Sequence, residues 1–384
     1  IFAFKCGTEI TGNTQECSIS YSELYKDVNI GGTILVDDGL INFEIIDING
    51  KDIICKVLND GVIKNHKGVN VPNVSINLPS VTEKDKDDLV FGCKMGVDFV
   101  AASFIRKASD IKEIRDLLNK NNGKNIQIIA KIESQEGVNN IDSILEVADG
   151  IMVARGDMGV EIPIEKVPII QKKIIKKCNE AGKIVITATQ MLDSMIRNSL
   201  PTRAEACDIC NAIFDGTDAI MLSGESASGQ YPIEAANTMS KIAKETELHL
   251  DYNYLNQRLK EPAMYDFAEA ISYSTCRTSN VLNAKAIVAA TNSGATAKLV
   301  SKYKPKCPII AITPHEEVMR GLSLNFGVYP VLCQEFATTD DILNESKKIV
   351  AELNLADKGD DIIVAAGMPT NYTGGTNMLK IEKL

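Results

Sequence analysis

The pattern of apolar and polar positions divides the 384-residue chain into three regions. Up to residue 77, apolar and polar residues alternate in runs such as TILVDDGLINFEIIDING, which are interrupted by Asp-Gly and Asn-Gly pairs. A period of two broken by such pairs is typical of strands joined by tight turns. The first region is therefore predicted to be a small β-rich domain built of hairpins.

The second region, 78–250, alternates short apolar segments with amphipathic helical segments. Such βα units form a parallel sheet that is covered on both faces. Polar side chains follow each predicted strand, as they do at the carboxyl ends of the strands of a (β/α)8 barrel, where that fold builds its active site. The pattern contains five units and not eight, with strands predicted at 97–103, 126–132, 150–155, 184–189 and 218–223.

The third region, 251–384, begins with a long predicted helix within DFAEAISYSTCRTSNVLNA. The strands AIVAAT, PIIAIT, VYPVLC and DIIVAAG follow, again alternating with helices. This arrangement predicts a separate α/β domain with an open, doubly wound sheet.

The composition of the chain excludes some classes of binding partner and indicates a cellular compartment. The chain carries 51 acidic and 41 basic residues, a net charge of -10, which argues against binding to nucleic acid or to an anionic membrane surface. No apolar run approaches the roughly 20 residues that span a bilayer. The ten cysteines are scattered and not spaced as a disulfide framework, so we expect free thiols and a cytoplasmic protein.

The segment IIAKIESQEG contains the most informative side chains. Residues two apart in a strand point to the same face, so Lys131 and Glu133 should project together at the carboxyl end of their strand. Asp157 follows the next strand in VARGDMG, and Thr189 follows the one after it in ITATQ, where Thr187 should share its face. Two carboxylates on adjacent strand ends repel each other unless a cation lies between them.

Oxygen ligands without His or Cys favour Mg²⁺ or Mn²⁺. A lysine beside such an ion suits a phosphoryl group or a developing enolate. The residues thus predict a metal-assisted reaction on a small, multiply anionic phosphate or oxyacid. Each of them alone would more often be a solvated charge or a structural ion pair, but their joint occurrence on three successive strand ends favours the site.

Longer motifs carry a resemblance to a known family. The runs GVDFVAASFIRKASD, IIAKIESQEG, GIMVARGDMGVEIP, ITATQMLDSMI and PTRAEACDICNAIFDGTDAIMLSGESA, in this order, closely resemble pyruvate kinases, and the likeness extends along all 384 residues. The family transfers the phosphoryl group of phosphoenolpyruvate to ADP, giving pyruvate and ATP in glycolysis. The resemblance implies a (β/α)8 barrel with an inserted β-barrel lid domain and a carboxy-terminal α/β domain, here 1–77, 78–250 and 251–384.

The resemblance also implies roles for individual residues. Lys131 would stabilise the phosphoryl group in transfer, and Glu133 and Asp157 would be the carboxylate ligands of Mg²⁺. The backbone of Gly156 and Asp157 would hold the substrate carboxylate, and Thr189 would lie near the route by which a proton reaches the methylene carbon. Ser103, after the preceding strand, joins the predicted substrate-binding residues.

Two further sites are implied outside the barrel. Lys67 and Asp37 match lid segments that face the nucleotide, although hairpin turns alone would look similar. A sugar-phosphate effector would bind in the third domain at the start of a helix, with TGGTN at 373–377 nearby; its predicted residues are Thr291, Asn292, Ser293, Gly294 and Thr296. The family's homotetramer and its requirement for K⁺ are implied as well.

The chain also departs from the family. The three barrel strands that precede the lid are absent, and with them the K⁺ ligands and an arginine for the substrate phosphate. We therefore expect residues before Ile1 and an inactive protein without them. Two alternatives stay open: another phosphoenolpyruvate- or pyruvate-type barrel, such as a metal-dependent aldolase or lyase, and a catalytically incomplete fragment that retains the effector domain.

Overall fold

The protein is described by a computed structural model that covers residues 1–37, 39–72, 74, 76, 79–252, 255, 266–369 and 375–384. Three sheets organise it, of six, five and five strands in chain order. The predicted boundary at 77–78 lies outside the described residues, as do residues 373 and 374 of the predicted effector loop.

The first sheet has the strand order β2-β1-β5-β4-β3-β6. Strand β1 alternates as its sequence predicts, burying Phe2, Phe4 and Cys6 on one face. The rings of Phe2 and Phe4 pack on Phe43 of β4, with centroids 5.4 and 5.0 Å away. The elements are β1 (Phe2–Cys6), β2 (Glu16–Ile19), α1 (Leu24–Asp27), β3 (Thr33–Val36), β4 (Ile41–Asn49), β5 (Asp52–Val57) and β6 (Val69–Asn70).

One pairing in this sheet differs from the predicted hairpins. Strands β1 and β2 run parallel, while β4 and β5 form an antiparallel hairpin. The intervening segment returns the chain to the start of β1 before β2 begins, and Asn13 accepts hydrogen bonds from two backbone N–H groups there. A local alternation of apolar residues does not specify the direction of the neighbouring strand, which explains the difference.

The second sheet confirms the five predicted strands. They are all parallel, in the order β11-β10-β9-β8-β7. All residues of β9 and β10 are buried, as expected for strands covered on both faces. The strands are β7 (Phe99–Ala102), β8 (Gln127–Ile132), β9 (Gly150–Ala154), β10 (Ile184–Ala188) and β11 (Ala219–Met221).

Some helices of this region begin at recognisable caps. Thr82 and Thr202 each form a capping box with an acidic residue three positions later, which satisfies free N–H groups of the first turn. The helices are α2 (Glu83–Met95), α3 (Ala108–Lys120), α4 (Gln135–Asn139), α5 (Ile141–Val147), α6 (Arg155–Glu161), α7 (Val167–Ala181), α8 (Arg203–Asp215), α9 (Gly224–Ala227) and α10 (Pro232–Leu248), with 3-10 turns at Ile164–Lys166 and Asp193–Ile196.

The third sheet has the order β14-β13-β12-β15-β16. Its four predicted strands are parallel. Strand β16 pairs antiparallel with β15 and was not predicted, because half of the residues in its sequence, MLKIEK, are charged. The elements are α11 (Phe267–Leu282), β12 (Ala286–Ala290), α12 (Ala295–Lys302), β13 (Ile309–Thr313), α13 (Glu316–Gly321), β14 (Val328–Leu332), α14 (Thr339–Glu352), β15 (Asp361–Ala366) and β16 (Met378–Lys383).

The third domain contacts the barrel region at the amino ends of its strands. Lys304 and Asp218 form an ion pair in which both side chains are buried, and Asp218 immediately precedes β11. Arg320 pairs with Asp98, which precedes β7, at 3.0 Å. The carboxyl ends of the strands, where a barrel places its chemistry, lie at the other end of the sheet.

All ten cysteines are free thiols, as predicted. Among the described residues, no helix is both long enough and apolar enough to cross a membrane.

Candidate active site

Strand β8 places Lys131 and Glu133 side by side. The Lys131 Nζ lies 2.8 Å from Glu133 Oε1 and donates a hydrogen bond of 2.8 Å to Ser103 Oγ. Ser103 directly follows β7, the neighbouring strand. The structure thus confirms that the two charged side chains project together, and it adds Ser103 from the next strand end.

The Glu133 carboxylate is almost completely buried, with 1 % of its surface exposed. Its Oε2 accepts a hydrogen bond of 2.5 Å from the backbone N–H of Phe104. Burial raises the pKa of the Glu133 carboxyl, the contacts with Lys131 and Phe104 oppose that rise, and the charge of Asp157 adds to it. Glu133 is therefore a poorly solvated carboxylate that is electrostatically repelled by the carboxylate of Asp157.

Asp157 lies on the neighbouring strand end. Helix α6 begins at Arg155, directly after β9 ends at Ala154, so Asp157 occupies the first helical turn and not a free turn before the helix. Among the described residues, no group of three or more His, Cys, Asp or Glu side chains could hold a metal. Mg²⁺, however, is commonly held by one or two carboxylates and completes its shell with substrate phosphate oxygens and water. The carboxylate pair fits a cation of that kind.

The position of Thr189 differs from the prediction. Strand β10 ends at Ala188, and Thr189 and Gln190 take left-handed φ values of 72° and 55°. The expectation that Thr187 and Thr189 share one face is wrong, because the backbone leaves the strand between them. Thr187 is buried and donates a hydrogen bond to the Thr217 hydroxyl. A β-branched residue at positive φ is strained, and such strain is concentrated at functional sites.

Arg155 holds this strained segment in place. Its guanidinium donates hydrogen bonds to the carbonyl oxygens of Ala188 (3.1 Å) and Thr189 (2.6 Å). It also binds both carboxylate oxygens of Asp208 on α8, at 2.7 and 2.6 Å. No role followed from the sequence for either residue. The position of the arginine directly after a strand, in VARGD, indicated a site residue. Nothing in the sequence, however, pairs Arg155 with Asp208, which is 53 residues away.

The other predicted residues form separate groups. In the lid domain, Lys67 Nζ lies 2.7 Å from Asp37 Oδ1, so these two residues face each other. In the third domain, the Thr291 hydroxyl accepts a hydrogen bond of 2.9 Å from the N–H of Gly294, whose φ of 85° closes the turn before α12. Thr296 in that helix accepts a buried hydrogen bond of 2.7 Å from Thr376, which belongs to the predicted effector loop.

The chain is similar to known proteins along its length. A family description given as pyruvate kinase, barrel domain, matches residues 1–236, and one given as pyruvate kinase, alpha/beta domain, matches residues 269–382. Over 385 aligned residues, the chain is 66 % identical to pyruvate kinase of Clostridium perfringens, covering 100 % of this chain and 81 % of that protein. It is 58 % identical to the enzyme of Clostridium acetobutylicum, covering 99 % and 80 %.

A solved structure shares the fold. The crystal structure of a pyruvate kinase from Cryptosporidium parvum superposes with a TM-score of 0.93 at 40 % identity, covering 100 % of this chain and 78 % of that one. These matches settle the choice against an aldolase or lyase. They extend along the whole chain and lend no support to the expectation that it is inactive. The barrel-domain and alpha/beta-domain matches and the high identities show one family: the chain belongs to the pyruvate kinases, which transfer a phosphoryl group from phosphoenolpyruvate to ADP.

Proposed function

We propose that Lys131, Glu133, Asp157 and Thr189 carry this phosphoryl transfer. The observation that carries the proposal is the contact between Lys131 and the buried Glu133 beside Asp157. Such a transfer needs mainly positioning and charge neutralisation, which a fixed ammonium and two carboxylates can provide. Lys131, oriented by Ser103 and Glu133, stabilises the phosphoryl oxygens in transit.

Glu133 and Asp157 would hold a divalent cation, Mg²⁺ or Mn²⁺. When bound, such an ion neutralises negative charge on the phosphoryl and enolate oxygens. The backbone of Gly156 and Asp157 in the first turn of α6 binds the substrate carboxylate, since the free N–H groups of a helix start favour anions. Thr189 presents its hydroxyl at the end of β10, near the carbon that receives the proton.

The remaining assignments rest on family membership. We propose that the lid residues Lys67 and Asp37 act near the nucleotide, that K⁺ is required, and that the protein assembles as a homotetramer in the cytoplasm. A sugar phosphate would bind at Thr291, Asn292, Ser293, Gly294 and Thr296. The turn closed by Gly294 and the contact between Thr296 and Thr376 support that site, because they join the helix start to the predicted effector loop.

A coupled assay with phosphoenolpyruvate and ADP tests the catalytic assignment. We expect Lys131→Met to lower kcat/KM about 10²-fold to 10³-fold, because an ammonium aimed at developing charge is lost. The matched control is Lys173→Met on α7, an exposed lysine whose loss should change kcat/KM by less than twofold, as is usual for exposed charges. Near-normal turnover of Lys131→Met, or pyruvate formation without ADP, would contradict the proposal.

The effector and assembly assignments need separate measurements. Titrating a hexose bisphosphate into the protein, followed by calorimetry, should give binding that Thr291→Ala weakens, since that change releases the turn at Gly294. Sedimentation should give four times the chain mass. Absence of heat in the wild type would reject the effector site, and a monomer or dimer would reject the tetramer.

A further inference from the structure

The lid domain touches the barrel region at a second place, away from its predicted nucleotide residues. The side-chain amide of Asn70, at the end of β6, donates a hydrogen bond of 3.1 Å to Glu161 Oε1, the last residue of α6. In the adjoining turn, a β-carbon on Gly39 would lie 3.7 Å from Val160 Cγ1. Two neighbouring segments of the lid therefore meet the same turn of one short helix.

On the barrel side, this helix leads directly to the candidate metal site. Asp157 and Glu161 are four residues apart in α6, so they lie one above the other on the same side of the helix. Met158, between them, is fully buried in the core of the barrel region and fixes the rotation of the helix. Glu161 thus lies one helical turn away from Asp157, on the same helix.

On the lid side, Asn70 lies in a corner of the first sheet, formed by β6 and the end of β3, that several contacts hold together. Strand β6 pairs with β3 through Leu35 and Val36, and the N–H of Asp37 donates to the carbonyl of Gly68 at 3.1 Å. The ion pair between Asp37 and Lys67 closes the same corner. Asn70 and the predicted nucleotide residues therefore move as one unit.

Glu161 gains a specific partner in this position. Its carboxyl group is partly buried, and burial raises its pKa while the hydrogen bond from Asn70 opposes that rise. Among the described residues, Asn70 is the hydrogen-bond donor seen on this carboxylate. A carboxylate removed from water without a donor would be costly, so the arrangement favours the lid position in which Asn70 reaches it.

We propose that the contact between Asn70 and Glu161 is a latch that sets the position of the lid over the active site and aligns α6 with it. Glu161 is a positioning residue: it acts through the position of the lid over the active site, and it does not touch the reacting atoms. The proposal rests on the assignment of Asp157 made above. It assigns to this pair a contribution to nucleotide binding and not to the chemical step.

Kinetics of the full chain tests the latch. We expect Asn70→Ala to raise the KM for ADP about threefold to tenfold, the loss of one charge-assisted hydrogen bond, with kcat at saturating ADP changed less than twofold. Glu161→Gln keeps an oxygen that accepts from Asn70 and should behave nearly as the wild type, whereas Glu161→Ala should match Asn70→Ala. The double alanine variant should be no worse than either single one, because both remove the same contact.

A second readout is independent of turnover. Small-angle X-ray scattering of the unliganded protein should give a larger radius of gyration for Asn70→Ala than for the wild type, as the lid opens. Asn49→Ala, at the β4–β5 hairpin of the same domain, is the matched control and should leave both the scattering and the KM for ADP unchanged.

An unchanged KM for ADP in Asn70→Ala, an effect equal to that of Asn49→Ala, or additive effects in the double variant would each overturn the latch. The assignment of Asp157 is tested separately by the metal dependence of stability in Glu133 and Asp157 variants. If Mg²⁺ stabilises the wild type but not these variants, while Asn70→Ala leaves the KM for ADP unchanged, the latch alone is rejected. If Mg²⁺ stabilises the variants as much as the wild type, the proposed metal site is rejected.

Discussion

Gly156 lies so close to Thr189 that a β-carbon on the glycine would be 2.6 Å from Thr189 Cγ2. This approach connects the start of α6, which carries Asp157, to the strained residue after β10. The two strand ends can come together in this way only because position 156 has no side chain.

Gly156→Ala should therefore displace Thr189. We expect turnover to fall about 100-fold, the usual result of a displacement near 1 Å at a reacting centre, and the free energy of unfolding to fall by about 1–3 kcal/mol through overpacking. Steady-state kinetics and thermal melting measure both. Gly159→Ala in the same helix is the control: its β-carbon would meet the flexible end of Ile164 at 3.2 Å, so it should change turnover less than threefold. Equal effects of the two substitutions would refute the argument.

Arg155 should be needed to keep Thr189 in its left-handed conformation. Arg155→Met removes the hydrogen bonds to the Ala188 and Thr189 carbonyls and leaves Asp208 without its partner. We expect a loss of about 1–3 kcal/mol in stability and at least tenfold in kcat. Arg155→Lys should recover little, since an ammonium cannot reproduce the planar fork that contacts the two carbonyls and Asp208 at the same time.

The control for this prediction is Lys172→Met, which breaks a neighbouring ion pair with Asp215. The Lys172 side chain is half exposed, so its loss should cost under about 1 kcal/mol and leave kcat intact. A normal kcat for Arg155→Met would show that the left-handed conformation of Thr189 does not depend on the guanidinium.

Metal binding should be visible in stability as well as in turnover. The melting temperature of the wild type should rise with added Mg²⁺, by the equivalent of about 1.4 kcal/mol at ten times the Kd. Glu133→Gln should abolish this rise, because it removes one of two carboxylates, while its carbonyl can still accept from Phe104. Glu165→Gln, an exposed change on the nearby 3-10 turn, should keep the full rise. A persistent rise in Glu133→Gln would place the metal elsewhere.

Glu205 should make part of the stability depend on pH. Burial alone would raise the pKa of this carboxyl, but hydrogen bonds from Ser194 and Thr202 outweigh burial and hold the pKa below its ordinary value. The carboxylate accepts four such bonds, between 2.6 and 2.9 Å, which tie the 3-10 turn to the start of α8. A lowered pKa stabilises the fold above the ordinary carboxyl pKa, and this contribution is lost as the pH falls through the folded-state value.

Glu205→Gln should therefore lower the free energy of unfolding by about 1–2 kcal/mol at pH 7, and the difference from the wild type should shrink below about pH 4. Melting temperatures recorded across this range test the prediction. Glu83→Gln removes a carboxylate that is almost fully exposed and should have little effect at any pH. A Glu205 difference that stays constant with pH would contradict the assignment of the effect to the charge.

Much of the site could be predicted from local spacing. The period of two along β8 places Lys131 and Glu133 on one face, and the position of Asp157 after the next apolar strand places it at the same end of the sheet. The five barrel strands and four of the five strands of the third domain were predicted from their short apolar runs, because such a run is visible in the strand's own residues.

The tertiary structure alone decided which distant residues support that site. Arg155 meets Asp208 across 53 residues, and Asn70 meets Glu161 across 91, and both contacts depend on how helices and sheets pack against each other. The left-handed backbone of Thr189 was equally hidden, because threonine avoids that conformation unless surrounding contacts impose it. The local sequence pattern determines to which face of a strand each side chain points. Which side chains from different elements contact each other is determined by packing, because those contacts depend on the summed free energies of many elements.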